Sequence, residues 1–149
     1  MTVSPKDVIR RLYKEVWNER KLDLIDQLVS QSHALISPNV TGPAVGPAAY
    51  KKVIASFVTG FPDLRFMVEE TVCAKSKIVA CWTFSGTHKG EFLGLAPTNR
   101  KVSIPGMTIH QIANGKILDS QSSWDAISLF HQLGVELPVK LERRAASTP

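Results

Sequence analysis

The sequence predicts an α+β fold in which helices pack across one face of a curved, mostly antiparallel sheet. Apolar residues recur with helical spacing over residues 5–60, and β-branched and aromatic residues concentrate over residues 64–123. Helices grouped before strands favour α+β over alternating parallel units. A curved sheet with helices across it leaves a cone-shaped cavity, the kind of concave apolar space that binds small molecules.

Clear breaks separate the predicted elements in the first half of the chain. Helical spacing predicts a helix pair over Pro5–Val29, interrupted at Asn18–Lys21, and a further helix over Ala48–Gly60. Between them lie a short predicted strand, His33–Ser37, and a loop, Pro38–Pro47, rich in proline and glycine.

The second half of the chain predicts two β-hairpins. The first joins Leu64–Ala74 to Ile78–His88, and the second joins Val102–Ile112 to Lys116–Ser123 through an Asn-Gly turn. Pro105 lacks a backbone N–H, so its strand is predicted to lie at a sheet edge or to contain a bulge. The four strands predict an antiparallel meander.

A short helix over Asp125–Leu133 closes the predicted domain. The length suits one domain. We assign residues 1–135 to that domain and residues 136–149 to a flexible, proline-containing tail.

Composition excludes several classes of protein. The chain has 149 residues, 44% of them hydrophobic, and no apolar stretch approaches the roughly 20 residues of a membrane helix. The net charge of +5 comes from scattered basic residues without a nucleic-acid-binding motif, so we expect neither nucleic acid nor membrane as a partner. Two cysteines and the lack of an export signal predict a cytoplasmic protein without a disulfide framework. The four histidines lack metal-ligand spacing, so no metal is expected.

Four segments resemble one protein family. They are RRLYKEVWNERKLDLIDQLV, GFPDLRFMVEE, WTFSGTHKGEFLGLAPTNRKV, and NGKI followed by a helix that ends in HQLG. Together they cover residues 6–134 and resemble the SnoaL-like polyketide cyclases, which share the cone-shaped, cystatin-like α+β fold of the nuclear transport factor 2-like superfamily. The resemblance implies a cofactor-free enzyme that closes rings by intramolecular aldol chemistry, or that opens epoxides, dehydrates or isomerises as related proteins do.

The acid–base pair of that family is not carried over. SnoaL-like cyclases hold a His/Asp pair at positions that correspond to Thr108 and Ser122, and Ser120 stands where the family frequently has a histidine. Strand alternation places Thr108 and His110 on one face of their strand, with Ser120 and Ser122 on the facing strand. A turn over residues 113–115 predicts pairing of Thr108 with Ser120 and of Gly106 with Ser122, so that the polar side chains converge.

Two titratable residues could replace the missing pair. His110 is suited to proton abstraction near neutral pH, unless it is hydrogen-bonded at the cavity mouth. Asp125 could act as an acid or base, or could cap the closing helix. The catalytic candidates are therefore His110, Asp125, Ser122, Thr108 and Ser120, with the hydroxyls as donors to a carbonyl or oxyanion.

The remaining histidines are assigned structural positions. His33 stands where the resemblance implies a core aromatic residue, which predicts a buried, hydrogen-bonded histidine. His88 lies in a family-like turn and is assigned a structural role, and His131 is expected at the surface of the closing helix.

Large apolar residues are candidates for the cavity wall, although in a small domain many of them form ordinary core. The predicted substrate-binding residues are Trp17, Phe57, Trp82, Phe84, Phe92, Met107 and Trp124. Cys81 and Thr83 alternate with Trp82, and their face of the strand is free to meet a second copy, so a homodimer through the sheet is expected.

Two functions remain open from the sequence. The first is cofactor-free acid–base catalysis on a small, largely apolar substrate of polyketide or terpenoid type, by cyclisation, epoxide opening or isomerisation. The second is a non-catalytic binding or dimerisation module that kept the pocket and lost the His/Asp pair.

Overall fold

The computed structural model describes residues 3–136 and confirms the α+β class. The helices are α1 (Pro5–Arg11), a π-helical segment that continues it (Leu12–Asn18), a 3-10 helix (Leu22–Leu24), α2 (Ile25–Leu28), α3 (Pro47–Gly60) and α4 (Ala126–Gln132). The strands are β1 (Val29–Ile36), β2 (Ala44–Val45), β3 (Arg65–Ala74), β4 (Lys77–Thr87), β5 (Lys101–Ala113) and β6 (Lys116–Trp124). Residues 137–149 of the predicted tail lie outside the described residues. Within residues 3–136, no helix combines the length and the apolar character needed to cross a membrane.

All six strands form one sheet in the order β2-β1-β6-β5-β4-β3. Neighbouring strands are antiparallel except β1 and β6, which run parallel and pair Leu35 with Ser120. The predicted meander is present as β3 to β6, and β1 and β2 extend the sheet beside β6. The strand predicted over His33–Ser37 already begins at Val29, because the preceding helix ends at Leu28.

At the break predicted after the first helix, side-chain hydrogen bonds connect that helix to the sheet. The Asn18 side chain donates to the Phe66 carbonyl (2.8 Å) and accepts from the Phe66 N–H (2.8 Å), as a neighbouring strand would. Arg20, with a positive φ of 64°, donates to the Leu64 carbonyl (3.1 Å). These bonds hold the π-helical segment, which carries Tyr13, against the start of β3.

The pairing of β5 with β6 differs from the predicted register by two residues. Thr108 lies opposite Ser122 and His110 lies opposite Ser120, whereas the sequence placed Thr108 opposite Ser120. One residue of the difference comes from the Asn-Gly turn, which has two residues instead of three. The other comes from a bulge at Leu118, which has no partner in β5. Because the shift is even, the polar side chains still converge on one face, but with different partners.

Pro105 lies in β5, an interior strand, and its register with β4 is unbroken at Thr83. Both predicted alternatives, an edge position and a bulge at the proline, are therefore wrong. The missing N–H of Pro105 is tolerated because the pairing of β5 with β6 stops at Gly106 and Trp124 and does not include the proline. Beyond that point α4 covers β5, where the Gln132 side chain accepts from the Ser103 N–H (2.7 Å) and donates to the Ser103 carbonyl (3.0 Å).

The core lies between the helices and the inner face of the sheet, which is the face that carries Trp82, Thr108 and Ser122. Phe57 and Phe84 meet there at a centroid distance of 5.7 Å in an edge-to-face arrangement. Such contacts bring α3 onto β4 and form one end of the space described in the next section.

Trp82 packs directly on Gly106 of the neighbouring strand, and a Cβ at position 106 would overlap the indole ring. Gly106→Ala should therefore lower the free energy of unfolding by ~1–3 kcal/mol, as measured by urea denaturation. The double variant Gly106→Ala/Trp82→Phe removes part of the indole and should lose less stability than the sum of the single variants. Strictly additive losses would contradict the packing of the ring on the glycine.

Candidate functional site

A cavity lies between the inner face of the sheet and the helices that cross it. Its walls are mainly aromatic: Tyr13, Trp17, Tyr50, Phe57, Phe66, Trp82, Phe84 and Trp124. The polar lining consists of Ser37, Thr108, His110 and Ser122, and the remaining lining residues are Leu35, Val53 and Ile104. None of these described residues is Lys, Arg, Asp or Glu. The volume open to water-sized molecules is about 40 Å³, within about 500 Å³ of empty space that includes the mouth.

Most of the predicted site residues lie at this cavity. Those that line it are Thr108, His110, Ser122, Trp17, Phe57, Trp82, Phe84 and Trp124. Ser120 and Phe92 are buried behind the wall, Ser120 against His110 and Phe92 against Phe57, with the two phenyl centroids 5.0 Å apart.

Two predicted residues lie outside the cavity. Met107 points to the opposite face of β5 from Thr108 and is 53% exposed, because side chains alternate along a strand. Asp125 is the N-cap of α4, where its carboxylate accepts from the Ser128 N–H (2.8 Å). The predictions that Met107 lines the cavity and that Asp125 reaches it are therefore wrong, and Asp125 has the capping position that was its alternative.

A chain of hydrogen bonds connects the cavity to the interior of the sheet. The Tyr13 hydroxyl lies 3.0 Å from His110 Nε2, and His110 Nδ1 lies 2.8 Å from Ser120 Oγ. Ser120 Oγ in turn lies 2.9 Å from His33 Nε2. His33 stacks on Tyr50 of the cavity wall, with ring centroids 5.1 Å apart. All of these side chains are buried, so the chain is shielded from water.

The second nitrogen of His33 sets the direction of these bonds. His33 Nδ1 is buried and has no partner among residues 3–136. Because a buried N–H without a partner is rarer than an unpaired acceptor, we assign the proton of the neutral ring to Nε2, which then donates to Ser120. The Ser120 hydroxyl then donates to His110 Nδ1, and His110 donates from Nε2 to the Tyr13 oxygen. The proton of Tyr13 is thus directed away from His110.

Burial keeps this chain uncharged at neutral pH. It lowers the pKa of His110 to about 3, with the neighbouring His33 adding to the effect. It also lowers the pKa of His33 to about 4, against the opposing attraction of Asp119. Burial, followed by the nearby Tyr50, raises the pKa of the Tyr13 hydroxyl above its ordinary value. His110 is therefore a weak base, and both of its nitrogens are already hydrogen-bonded.

A second polar group lies beside the first. Trp82 Nε1 donates to Thr108 Oγ1 (3.0 Å), and Thr108 Oγ1 lies 2.9 Å from Ser122 Oγ. Since an indole N–H only donates, Thr108 keeps its own proton for Ser122 or for a bound molecule. On another part of the wall, Trp124 Nε1 donates to Ser37 Oγ (3.1 Å). The inner polar surface therefore has hydroxyl donors and no ionised group.

Sequence reasoning missed Tyr13 as a site residue. Tyr13 precedes Trp17 by four residues, which places both on one helix face, and this spacing is the signal that could have found it. His33 is buried and hydrogen-bonded, as predicted. Its contact with Ser120 had no sequence signal, because it depends on the parallel pairing of β1 with β6.

The other two histidines lie away from the cavity. His88 is buried, and its Nδ1 accepts from the Thr98 N–H (3.2 Å), which closes the loop after β4. His131 is exposed on α4. Both positions agree with the structural and surface positions that were predicted. Within the described part of the chain, no three His, Cys, Asp or Glu side chains are grouped as a metal ion would require.

Comparison with known families places most of the chain in one of them. The family described as SnoaL-like polyketide cyclase matches residues 7–133. A search of the curated proteins found no match.

Solved structures share the fold. A candidate SnoaL-like polyketide cyclase from Jannaschia sp. CCS1 is 20% identical, with a TM-score of 0.82 over 89% of this chain and 93% of that one. IdmH from Streptomyces antibioticus, described as a candidate polyketide cyclase, is 23% identical, with a TM-score of 0.78 over 89% and 100% of the two chains. AclR from Streptomyces galilaeus, described as a candidate hydroxylase, is 24% identical, with a TM-score of 0.77 over 91% and 88%. At these identities the likeness establishes the fold alone.

The lowered pKa values of His33 and His110 predict that stability falls as the pH falls. The unfolded chain protonates both histidines near their ordinary pKa of 6.5, whereas the folded chain protonates them only near pH 4 and 3. Unfolding near pH 5 therefore takes up about two protons, and the free energy of unfolding should fall by about 2.5 kcal/mol per pH unit there. Urea denaturation at a series of pH values measures this slope.

Two variants locate the source of that slope. His33→Phe should remove about half of it, and His131→Gln, at an exposed position, should leave it unchanged. A free energy of unfolding that stays constant between pH 7 and pH 5 would contradict the neutral, buried imidazoles.

Proposed function

The chain belongs to the SnoaL-like polyketide cyclase family, and we propose that it is a cofactor-free enzyme that closes a ring in a small, largely apolar polyketide- or terpenoid-like substrate. One observation carries the proposal. In a cavity walled by aromatic rings, the Tyr13 hydroxyl and the Thr108–Ser122 hydroxyl pair are placed to donate to carbonyl oxygens. Epoxide opening and isomerisation, which the same donors could assist, are the alternative reactions.

Tyr13 is the proposed general acid. As its proton moves to a substrate oxygen, negative charge grows on the phenol oxygen, and the His110 N–H is already directed at that oxygen. A preformed donor in a water-poor site stabilises such charge without reorganisation. Because burial raises the pKa of Tyr13, the hydroxyl keeps its proton until an oxyanion develops beside it.

Thr108 and Ser122 are the proposed positioning donors for a second oxygen of the substrate. The family resemblance assigns them the positions of its His/Asp pair, and hydroxyls at those positions lack the base strength of that pair. The aromatic walls supply the other part of catalysis, since a flexible substrate that occupies the cavity and its mouth, about 500 Å³ of empty space, would be held against them in a folded, reactive conformation.

The cavity favours substrates whose C–H bonds are already acidic. None of its described lining residues is a carboxylate, and His110 is a weak base. A methylene between two carbonyls enolises without a strong base, and its enol carbon can attack a ketone whose oxygen takes the Tyr13 proton. A C–C bond forms, and the enol oxygen loses a proton that replaces the one given up by Tyr13, so no net proton is exchanged.

A non-catalytic binding module is the second candidate. It is favoured by one observation, the absence of any ionised side chain among the described residues that line the cavity. A module of this kind would bind the same class of compound and release it unchanged.

Tyr13→Phe separates the two candidates. With a linear polyketone as substrate, the variant should lose ~100-fold or more in kcat, as expected for a missing oxyanion donor, with KM changed less than about threefold. Thr108→Val should have a smaller effect on kcat and a larger one on KM. Ser123→Ala, on the outer face of β6, is the matched control and should behave as the unmodified chain. Binding of the polyketone without turnover by the unmodified chain would favour the binding module.

We also propose that the chain forms a homodimer through the outer face of β3, β4 and β5. Met67, Met107 and Ile109 are 58%, 53% and 41% exposed on this face. In the ladder Cys81 lies opposite Met107 and Val79 lies opposite Ile109, so the apolar side chains are contiguous. A contiguous exposed apolar patch on a sheet is typical of an interface.

The double variant Met107→Lys/Ile109→Lys should be monomeric in size-exclusion chromatography with light scattering, because two buried charges oppose the interface. Ile36→Lys/Val45→Lys adds the same charge at the other end of the sheet, where both residues are about half exposed or more, and should stay dimeric. A monomeric unmodified chain would contradict the proposal.

A further inference from the structure

A second concave surface, here called the basic groove, lies outside the cavity between α1 with its π-helical continuation and the free edge of β3. Its volume is about 350 Å³. Lys6, Arg10 and Lys14 form one wall, and Ile9 and Val68 contribute to an apolar floor. The groove is therefore larger than the cavity and differs from it in charge.

Two rings separate the basic groove from the cavity. Tyr13 and Phe66 line both spaces, and their centroids are 5.6 Å apart. At this distance the two rings are in contact and close the wall between the two spaces. The groove, at about 350 Å³, by itself has the volume of a ligand pocket.

The cations of the groove lack carboxylate partners. Lys6, Arg10 and Lys14 recur every four residues, which places them on one helix face, and all three are exposed. Among residues 3–136, Lys6 and Lys14 make no ion pair, and Arg10 has only a 3.8 Å contact with Asp7 in which both side chains are more than half exposed. Such a contact contributes little.

Cations elsewhere on the surface contrast with this row. Arg11, one residue away on the next face, is 2.8 Å from Glu15, and Lys51 is 2.6 Å from Asp26. Asp7 is the one carboxylate among the described residues that line the groove, which leaves an excess of two positive charges there. An anionic group would complement that excess.

We infer that the basic groove binds an amphipathic organic acid, with its carboxylate on the row of Lys6, Arg10 and Lys14 and its apolar part on the groove floor. The inference does not depend on the proposed function, because the groove lies outside the cavity. It adds a second site and the class of its ligand, an organic anion.

The chain provides its own reporter for this mode of binding. Trp17 packs on Phe66, which lines the groove, with ring centroids 4.7 Å apart. A bromine atom at the far end of a fatty acid quenches tryptophan fluorescence only when it is close to the indole rings. The test is therefore titration with ω-bromodecanoate, with its neutral methyl ester as the matched ligand.

Three substitutions test the charge. Lys6→Gln/Arg10→Gln/Lys14→Gln should raise the Kd for ω-bromodecanoate by about fivefold to tenfold, since three exposed ion pairs contribute about 1–1.4 kcal/mol together. The ester should bind equally to both proteins. The control Lys77→Gln/Lys101→Gln/Lys116→Gln removes the same charge from exposed strand ends and should change the Kd less than about twofold.

Three results would overturn the inference. They are equal quenching by the acid and the ester, equal weakening by the groove and control substitutions, and binding of the acid in calorimetry without quenching. None of these readouts requires turnover. An unchanged kcat in Tyr13→Phe would contradict the proposed enzyme activity without affecting the binding result. Failure of the binding test would likewise leave the proposed enzyme activity unaffected.

Discussion

The hydrogen-bond chain from His33 through Ser120 and His110 to Tyr13 joins β1, β6, β5 and the N-terminal helix at one buried point. Its members meet because β1 runs parallel to β6 and because the bulge at Leu118 brings Ser120 opposite His110. A slip in either pairing would leave buried imidazole nitrogens without partners, at a cost of about 1–3 kcal/mol for each group. The chain thus constrains the register of the sheet and the position of Tyr13 together.

The same constraint decides the chemistry that the cavity can support. Burial holds His33 and His110 neutral, and the proximity of His33 lowers the pKa of His110 further. The site therefore offers donors in place of the titrating His/Asp pair that the resemblance implies. Tyr13, Thr108 and Ser122 can each donate to an oxygen that gains charge. This arrangement suits substrates that enolise readily and need orientation more than a strong base.

The sequence predicted the fold class and most of the cavity wall because both follow from local pattern. Alternation along β4 placed Trp82 and Phe84 inward, and helical spacing placed Trp17. It could not predict that Ser120 bridges two histidines, since that contact needs a bulge and a parallel strand that are far apart in sequence. Tyr13 was missed for a different reason: its spacing from Trp17 predicts a shared helix face, but not that its hydroxyl finds a buried partner.

The proton positions on His110 and His33 are the most direct test of a neutral cavity in which Tyr13 is the donor. Long-range proton–nitrogen correlation NMR of the isotope-labelled chain at neutral pH distinguishes protonated from unprotonated ring nitrogens, and His33→Phe assigns the signals. Both rings should be neutral and carry their proton on Nε2, with His110 donating to Tyr13. A His110 ring with its proton on Nδ1 would contradict this arrangement, because Nε2 would then accept the Tyr13 proton and hold it away from the cavity. A charged His110 ring would contradict the neutral hydrogen-bond chain.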